Sequence, residues 1–63
     1  MISDWELWAS ADQVIKQHGD QALAFVAERI GALALAGDKA GIATWKAIGA
    51  RIDQMSEHPG EPH

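Results

Sequence analysis

Apolar residues recur every three or four positions along most of this chain, which is the spacing of one face of an α-helix. The pattern is interrupted at two Gly-Asp dipeptides and stops after Met55. It predicts three helices, over about residues 4–17, 20–36 and 38–55. We therefore expect an all-α fold: a small three-helix antiparallel bundle with short Gly-Asp turns, in which the second helix is central.

The ends of the predicted helices carry capping signals. Ser3 followed by Glu6 is a capping box that starts the first helix. Asp20 is predicted to cap the second helix, and Gly37 to end it in the left-handed conformation. The helical domain is expected to span residues 1–56. Residues 57–63 have two prolines and nothing apolar to bury, so they are expected to be a disordered tail.

The second predicted helix carries two apolar stripes. The stronger one is predicted to face the core and contains Leu23, Val26, Ala27, Ile30, Leu33, Ala34 and Gly37. The weaker, opposite stripe either contacts both other helices or forms a surface for a partner chain. Together with Trp5, which lies at the margin of the apolar face of the first helix, it supplies the candidate interaction surface: Trp5, Phe25, Glu28, Ala32 and Leu35.

The third predicted helix has two glycines on its inward face, one turn either side of Trp45. Each glycine costs a helix about 1 kcal/mol relative to alanine, so the pair requires a structural reason. Gly41 and Gly49 leave room for the Trp45 indole or for a closely packed neighbouring helix. We expect Trp45 to be the largest buried side chain of this helix.

Size and charge exclude several classes of protein. The chain has 63 residues, so its core is marginal and oligomerisation is a common remedy. It lacks cysteine, which excludes disulfides and thiolate zinc sites. A net charge of −4 argues against direct binding of nucleic acid or of an anionic membrane. Glu28 and Arg29 interrupt the central stretch, so we expect no membrane span; without a signal-peptide pattern, a cytoplasmic location is expected.

The sequence offers little for chemistry. No serine or threonine has a histidine at a spacing that indicates activation, and no glycine-rich phosphate loop is present. Asp12 and Lys16 have the spacing of a surface ion pair, and His18 suits the C-terminus of the first helix. We therefore predict a non-enzymatic protein with no catalytic residue, cofactor, metal site or small-molecule substrate.

Four short motifs resemble a family of short alphaproteobacterial helical proteins that are known only as a domain of unknown function. The motifs are Glu6-Leu7-Trp8, His18-Gly19-Asp20, Ala27-Glu28-Arg29-Ile30 and the Ala-Gly-Asp-x-x-Gly-x-x-x-Trp-x-x-Ile pattern of residues 36–48. The resemblance covers about residues 4–55. It implies a small cytoplasmic bacterial helical protein and no particular activity.

Two functions from different classes follow as expectations. The first is a protein–protein interaction module that binds a protein partner or itself, as a homodimer. The alternative is an acidic inhibitor of a nucleic-acid-processing system, phage-derived and anti-CRISPR-like, whose carboxylates would occupy a phosphate-binding groove. The nine acidic residues are spread along the chain rather than massed, which supports the alternative less well.

Overall fold

The fold is all-helical, as predicted. A computed structural model describes residues 3–57, and no strand occurs among them. The elements are α1 (Asp4–His18), a 3₁₀ turn (Gly19–Gln21), α2 (Ala22–Ala36) and α3 (Lys39–Glu57). Apart from Glu57, which ends α3, the predicted tail lies outside the described residues.

The first two helices are joined by a single 3₁₀ turn. Gly19 has a φ of 57°, and the 3₁₀ turn that begins there leads directly into α2. The N–H of Ala22 donates to the carbonyl of Gly19, and no side chain caps either the turn or α2. The prediction that Asp20 caps the second helix is therefore wrong, because a backbone hydrogen bond of the 3₁₀ turn takes the place of a side-chain cap. Asp4–Ala36 is one long bent helical segment, so the fold is not clearly the predicted bundle of three separate helices.

The connection between α2 and α3 is a true helix end. Gly37 adopts the left-handed conformation, with a φ of 75°, as predicted. Its N–H donates to Ala34 O at 3.1 Å, and the N–H of Asp38 donates to Leu33 O at 2.9 Å. This pair of bonds is the Schellman arrangement. The Asp38 carboxylate then accepts from the N–H of Gly41 at 2.9 Å and caps α3.

The two glycines of α3 let α2 approach closely. A Cβ on Gly49 would lie 3.2 Å from Val26 Cγ1, and a Cβ on Gly41 would lie 3.1 Å from Leu33 Cδ2. Because Val26 meets the later glycine and Leu33 the earlier one, α2 and α3 run antiparallel. For Gly49 the neighbouring helix is the predicted reason that the structure shows. At Gly41 the neighbouring helix is joined by the Asp38 carboxylate, whose Oδ2 would lie 2.7 Å from the added Cβ.

The central element is α3, and the prediction that the second helix is central is wrong. Both α1 and α2 pack mainly on α3, and they contact each other less extensively than either contacts α3. The bend at Gly19 explains this arrangement, since the long segment folds over α3 instead of closing a tight hairpin.

The predicted capping box is present at the start of α1. Ser3 N–H donates to Glu6 Oε1 at 3.0 Å, and Glu6 N–H donates to Ser3 Oγ at 3.2 Å.

The core is small and contains only apolar side chains. Its buried members are Leu7, Ala11, Val14, Ala22, Val26, Ile48 and Ile52. Trp45 is only partly buried, and Ile52 is the largest side chain that is fully buried. The prediction for Trp45 is thus wrong, because the indole lies at the edge of the α2–α3 contact.

The inward face of α2 differs from the predicted one. Ala22 and Val26 are buried, and Phe25, Ile30 and Leu33 are partly buried. Leu23, Ala27 and Ala34, which were expected in the core, are exposed. The helix is rotated so that Phe25 turns towards α3, a choice that the apolar residues on both sides of α2 leave open.

Candidate interaction surface

The side of α2 that faces away from α3 is apolar and uncovered. We call it the outer face; by helical spacing it consists of Ala24, Ala27, Glu28, Gly31, Ala34 and Leu35, all of which are exposed. Leu23 lies along one edge and Ala32 along the other, and both are also exposed. Leu35 has 93% of its surface exposed and Leu23 has 44%. The outer face is therefore a row of small apolar residues with a leucine near each end.

Charge is nearly absent from the outer face. The only charged residues of α2 are Glu28 and Arg29. Arg29 is directed to the side, where its Cζ lies 5.6 Å from the centroid of the Trp45 ring. By contrast, the exposed residues of the other helices include several charged ones: Asp4, Glu6, Asp12 and Lys16 in α1, and Lys39, Lys46 and Asp53 in α3. Glu28 is left as the single charge on the outer face.

Gly31 lies in the middle of the outer face, and no neighbour among residues 3–57 explains it. Within that part of the chain, a Cβ at this position would meet no atom within 4 Å. The other glycines inside helices, Gly41 and Gly49, would both place a Cβ within 3.2 Å of a neighbouring side chain. Gly31 is therefore a helix-weakening residue whose small size is not used within the chain.

Phe25 lies in an aromatic cluster rather than on the outer face. Its ring stacks on His18 at a centroid distance of 4.1 Å and an interplanar angle of 16°. Its edge-to-face contact with Trp45 has a centroid distance of 5.7 Å. His18 thus has a packing partner that the sequence did not suggest. Of the residues predicted for the interaction surface, Glu28, Ala32 and Leu35 remain together on the exposed side of α2.

Trp5, the fifth predicted surface residue, lies on α1 and is 75% exposed. Beside it, Asp4 forms an ion pair with Arg51 of α3, with 2.6 Å between the carboxylate oxygen and the guanidinium nitrogen. The same guanidinium lies over Trp8, with its Cζ 5.3 Å from the ring centroid. Trp5 is therefore an exposed residue on a different helix from the outer face.

Several acidic side chains have partners within the fold. Asp4 pairs with Arg51, and the predicted ion pair between Asp12 and Lys16 is present at 3.0 Å. Glu6 and Asp38 accept hydrogen bonds from backbone N–H groups at the starts of α1 and α3. Three of these carboxylates cap a helix or join two helices, and Asp12 pairs within α1, so all four are already engaged by other groups.

Neither a metal site nor a membrane-spanning helix occurs among the described residues. Within residues 3–57, no three His, Cys, Asp or Glu side chains come together in a way that could hold a metal ion. In the same part of the chain, no helix combines the length and apolar character needed to cross a bilayer.

Comparison with known proteins identifies a family but no activity. No curated protein and no solved structure matches this chain. A family described as "Family of unknown function (DUF6961)" matches residues 3–59. The match takes in all of α1, α2 and α3 and therefore the outer face as well. The chain belongs to this family, DUF6961.

Proposed function

We propose that this protein is a small non-enzymatic interaction module that binds another polypeptide through the outer face of α2. The observation that carries the proposal is the exposure of Leu35, 93% of whose surface is accessible on a face with a single charge, Glu28. Burying a leucine fully against a partner is worth about 1.5–3 kcal/mol. A partner that covers this face would gain that free energy without displacing any part of the fold.

Contiguity distinguishes this surface from ordinary exposed apolar residues. Single exposed leucines occur on most monomeric proteins and need no explanation. On α2, however, Ala24, Gly31 and Leu35 follow one another at helical spacing, and Ala27 and Ala34 run beside them. A strip that is apolar except for Glu28, on a small protein whose other helices carry several exposed charges, is typical of a helix that packs against another chain.

The setting that we propose is the cytoplasm of a bacterium. It is supported by the resemblance of the Glu6-Leu7-Trp8 and His18-Gly19-Asp20 motifs to short alphaproteobacterial proteins. A cytoplasmic module of this kind would act by occupying a surface of its partner rather than by turning over a substrate.

Site-specific photocrosslinking tests the proposal. A photoreactive amino acid is placed at Leu35 of the full chain, or at Gln17 of α1 as an exposed control, and the cells that produce each variant are irradiated. We expect covalent adducts at position 35 and few at position 17, and mass spectrometry then identifies the captured chain. Equal capture at both positions, or none at position 35, would contradict the proposal.

A further inference from the structure

We propose that the occupant of the outer face is a second copy of this chain, with α2 packed against α2 in a two-fold dimer. This inference rests on the proposed function, because it names the partner of the same surface. Three properties of the described residues favour a second copy: the unexplained Gly31, the small size of the core, and the distribution of large and small residues along the outer face.

Gly31 indicates that an outside backbone approaches α2 closely. A glycine inside a helix costs about 1 kcal/mol relative to alanine. Gly41 and Gly49 are explained by contacts within the chain, whereas no atom of the described residues lies within 4 Å of a Cβ placed on Gly31. The absence of a side chain at Gly31 is useful only if something outside the protomer comes near the backbone there, as happens when two helices pack at short distance.

The small core favours a copy of the same chain over a foreign partner. Only seven side chains of the described residues are buried, and two of them, Ala11 and Ala22, are alanines. Folds of this size commonly rely on oligomerisation to bury enough apolar surface. Apart from Glu28 and Arg29, α2 is apolar around its whole circumference, and apolar faces of a helix are normally covered. A second copy of the chain is present wherever the chain is made, so it can cover the outer face without a foreign partner.

The outer face is self-complementary in an antiparallel pair. Leu23, at the edge of the outer face, and Leu35, on it, are twelve residues apart, roughly 18 Å along the helix, and the outer-face residues between them are mostly small. If two copies of α2 cross antiparallel at the level of Arg29, Leu35 of each copy lies near Leu23 of the other. Ala27 then lies near Gly31 of the other copy. Such an isologous two-fold contact closes the assembly at a dimer.

The decisive experiment is analytical ultracentrifugation of three untagged full-length proteins: wild type, Gly31→Gln and Ala43→Gln. Ala43 is an exposed alanine of α3, so it controls for adding the same side chain elsewhere. We expect the wild type to sediment as a dimer, with twice the 6.8 kDa mass of the monomer. Gly31→Gln should raise the dimer dissociation constant at least about tenfold, or ~1.4 kcal/mol, whereas Ala43→Gln should leave it unchanged.

A second measurement keeps the test valid if the Gly31→Gln protomer does not fold. The melting temperature of the wild type should rise with protein concentration, because a folded dimer is favoured by mass action. A concentration-independent melting temperature, a wild type that sediments as a monomer at high micromolar concentration, or a Gly31→Gln protein that dimerises like wild type would each overturn the inference.

The photocrosslinking experiment separates failure of this inference from failure of the proposed function. A monomeric wild type whose position 35 captures a different polypeptide would overturn the dimer and leave the interaction module in place. A monomeric wild type that captures nothing at position 35 would overturn both.

The orientation of the two helices is tested in this cysteine-free chain with Leu23→Cys and Leu35→Cys. A short bismaleimide should link a mixture of the two variants more efficiently than either variant alone, and the reverse result would contradict the antiparallel arrangement.

Discussion

Gly49 of α3 lies directly against Val26 of α2: a Cβ on the glycine would be only 3.2 Å from Val26 Cγ1. Val26 is one of the buried core residues, and Ile48 and Ile52 flank Gly49 on the same helix. The two antiparallel helices thus come close together here because one side chain is left out beside the core. Closely packed protein interiors respond to added volume as well as to lost volume.

Gly49→Val should destabilise the protein by about 1–3 kcal/mol, the usual cost of forcing extra volume into a packed core. Chemical denaturation followed by circular dichroism measures the change. Ala50→Val, at an exposed position of the same helix, is the matched control and should have a small effect. Adding Val26→Ala to Gly49→Val should recover part of the loss, because it removes the methyl groups that the new side chain meets. Strictly additive effects would show that the two positions are not in contact.

Asp38→Ala should cost about 1 kcal/mol, because it removes the carboxylate that accepts the N–H of Gly41 at the start of α3. Asp20→Ala is the natural comparison, since Asp20 also follows a glycine but caps no helix. Its loss should cost only about 0.3 kcal/mol, through weaker interaction with the helix dipole. Thermal or urea unfolding of the two variants provides the measurement. Equal losses would mean that the two Gly-Asp sites are structurally equivalent.

Arg51→Ala should destabilise the protein more than Asp4→Ala, although the two residues form one ion pair. The Asp4 side chain is 71% exposed, so losing the pair alone should cost at most about 1 kcal/mol. Arg51 is 22% exposed and also covers Trp8, which adds roughly 0.5–1 kcal/mol of cation–π and packing free energy. Arg51→Met, which keeps the aliphatic stem, should fall between the two. If Asp4→Ala were the more damaging variant, the contact with Trp8 would contribute nothing.

The sequence predicted well those features that depend only on residues close together in the chain. The capping box of Ser3 and Glu6 and the left-handed Gly37 depend only on residues within the same turn. The conformation at Gly19 depends on more than its own turn. The two Gly-Asp sites look alike in sequence, yet a 3₁₀ turn that leads into α2 begins at the first, and the second separates α2 from α3. The stacking of His18 on Phe25 across the first site is a tertiary contact that local patterns do not contain.

The candidate surface could be predicted only in part, for a related reason. Apolar residues lie on all sides of α2, so periodicity alone did not show whether Leu23 or Phe25 faces the core. Glu28, Ala32 and Leu35 were predicted for the candidate interaction surface, with contact to both other helices as the alternative, and all three are exposed. The ion pair of Arg51 with Asp4 joins residues 47 positions apart, and nothing in the sequence indicates it.

The last prediction separates the fold of the protomer from its assembly by comparing Phe25→Ser with Leu35→Ser. Phe25 is packed between His18 and Trp45, so its loss should cost about 2 kcal/mol, below the 3–5 kcal/mol typical of a fully buried phenylalanine. Its melting temperature should fall at every protein concentration. Leu35 is almost fully exposed, so Leu35→Ser should leave the melting temperature unchanged at low concentration, where the protomers are separate. At high concentration it should melt below the wild type, because only the wild type gains stability by pairing.

Melting curves over a hundredfold range of concentration provide the comparison. A Leu35→Ser protein that is destabilised equally at all concentrations would place this leucine in the core of the protomer and contradict the outer face as an interaction surface.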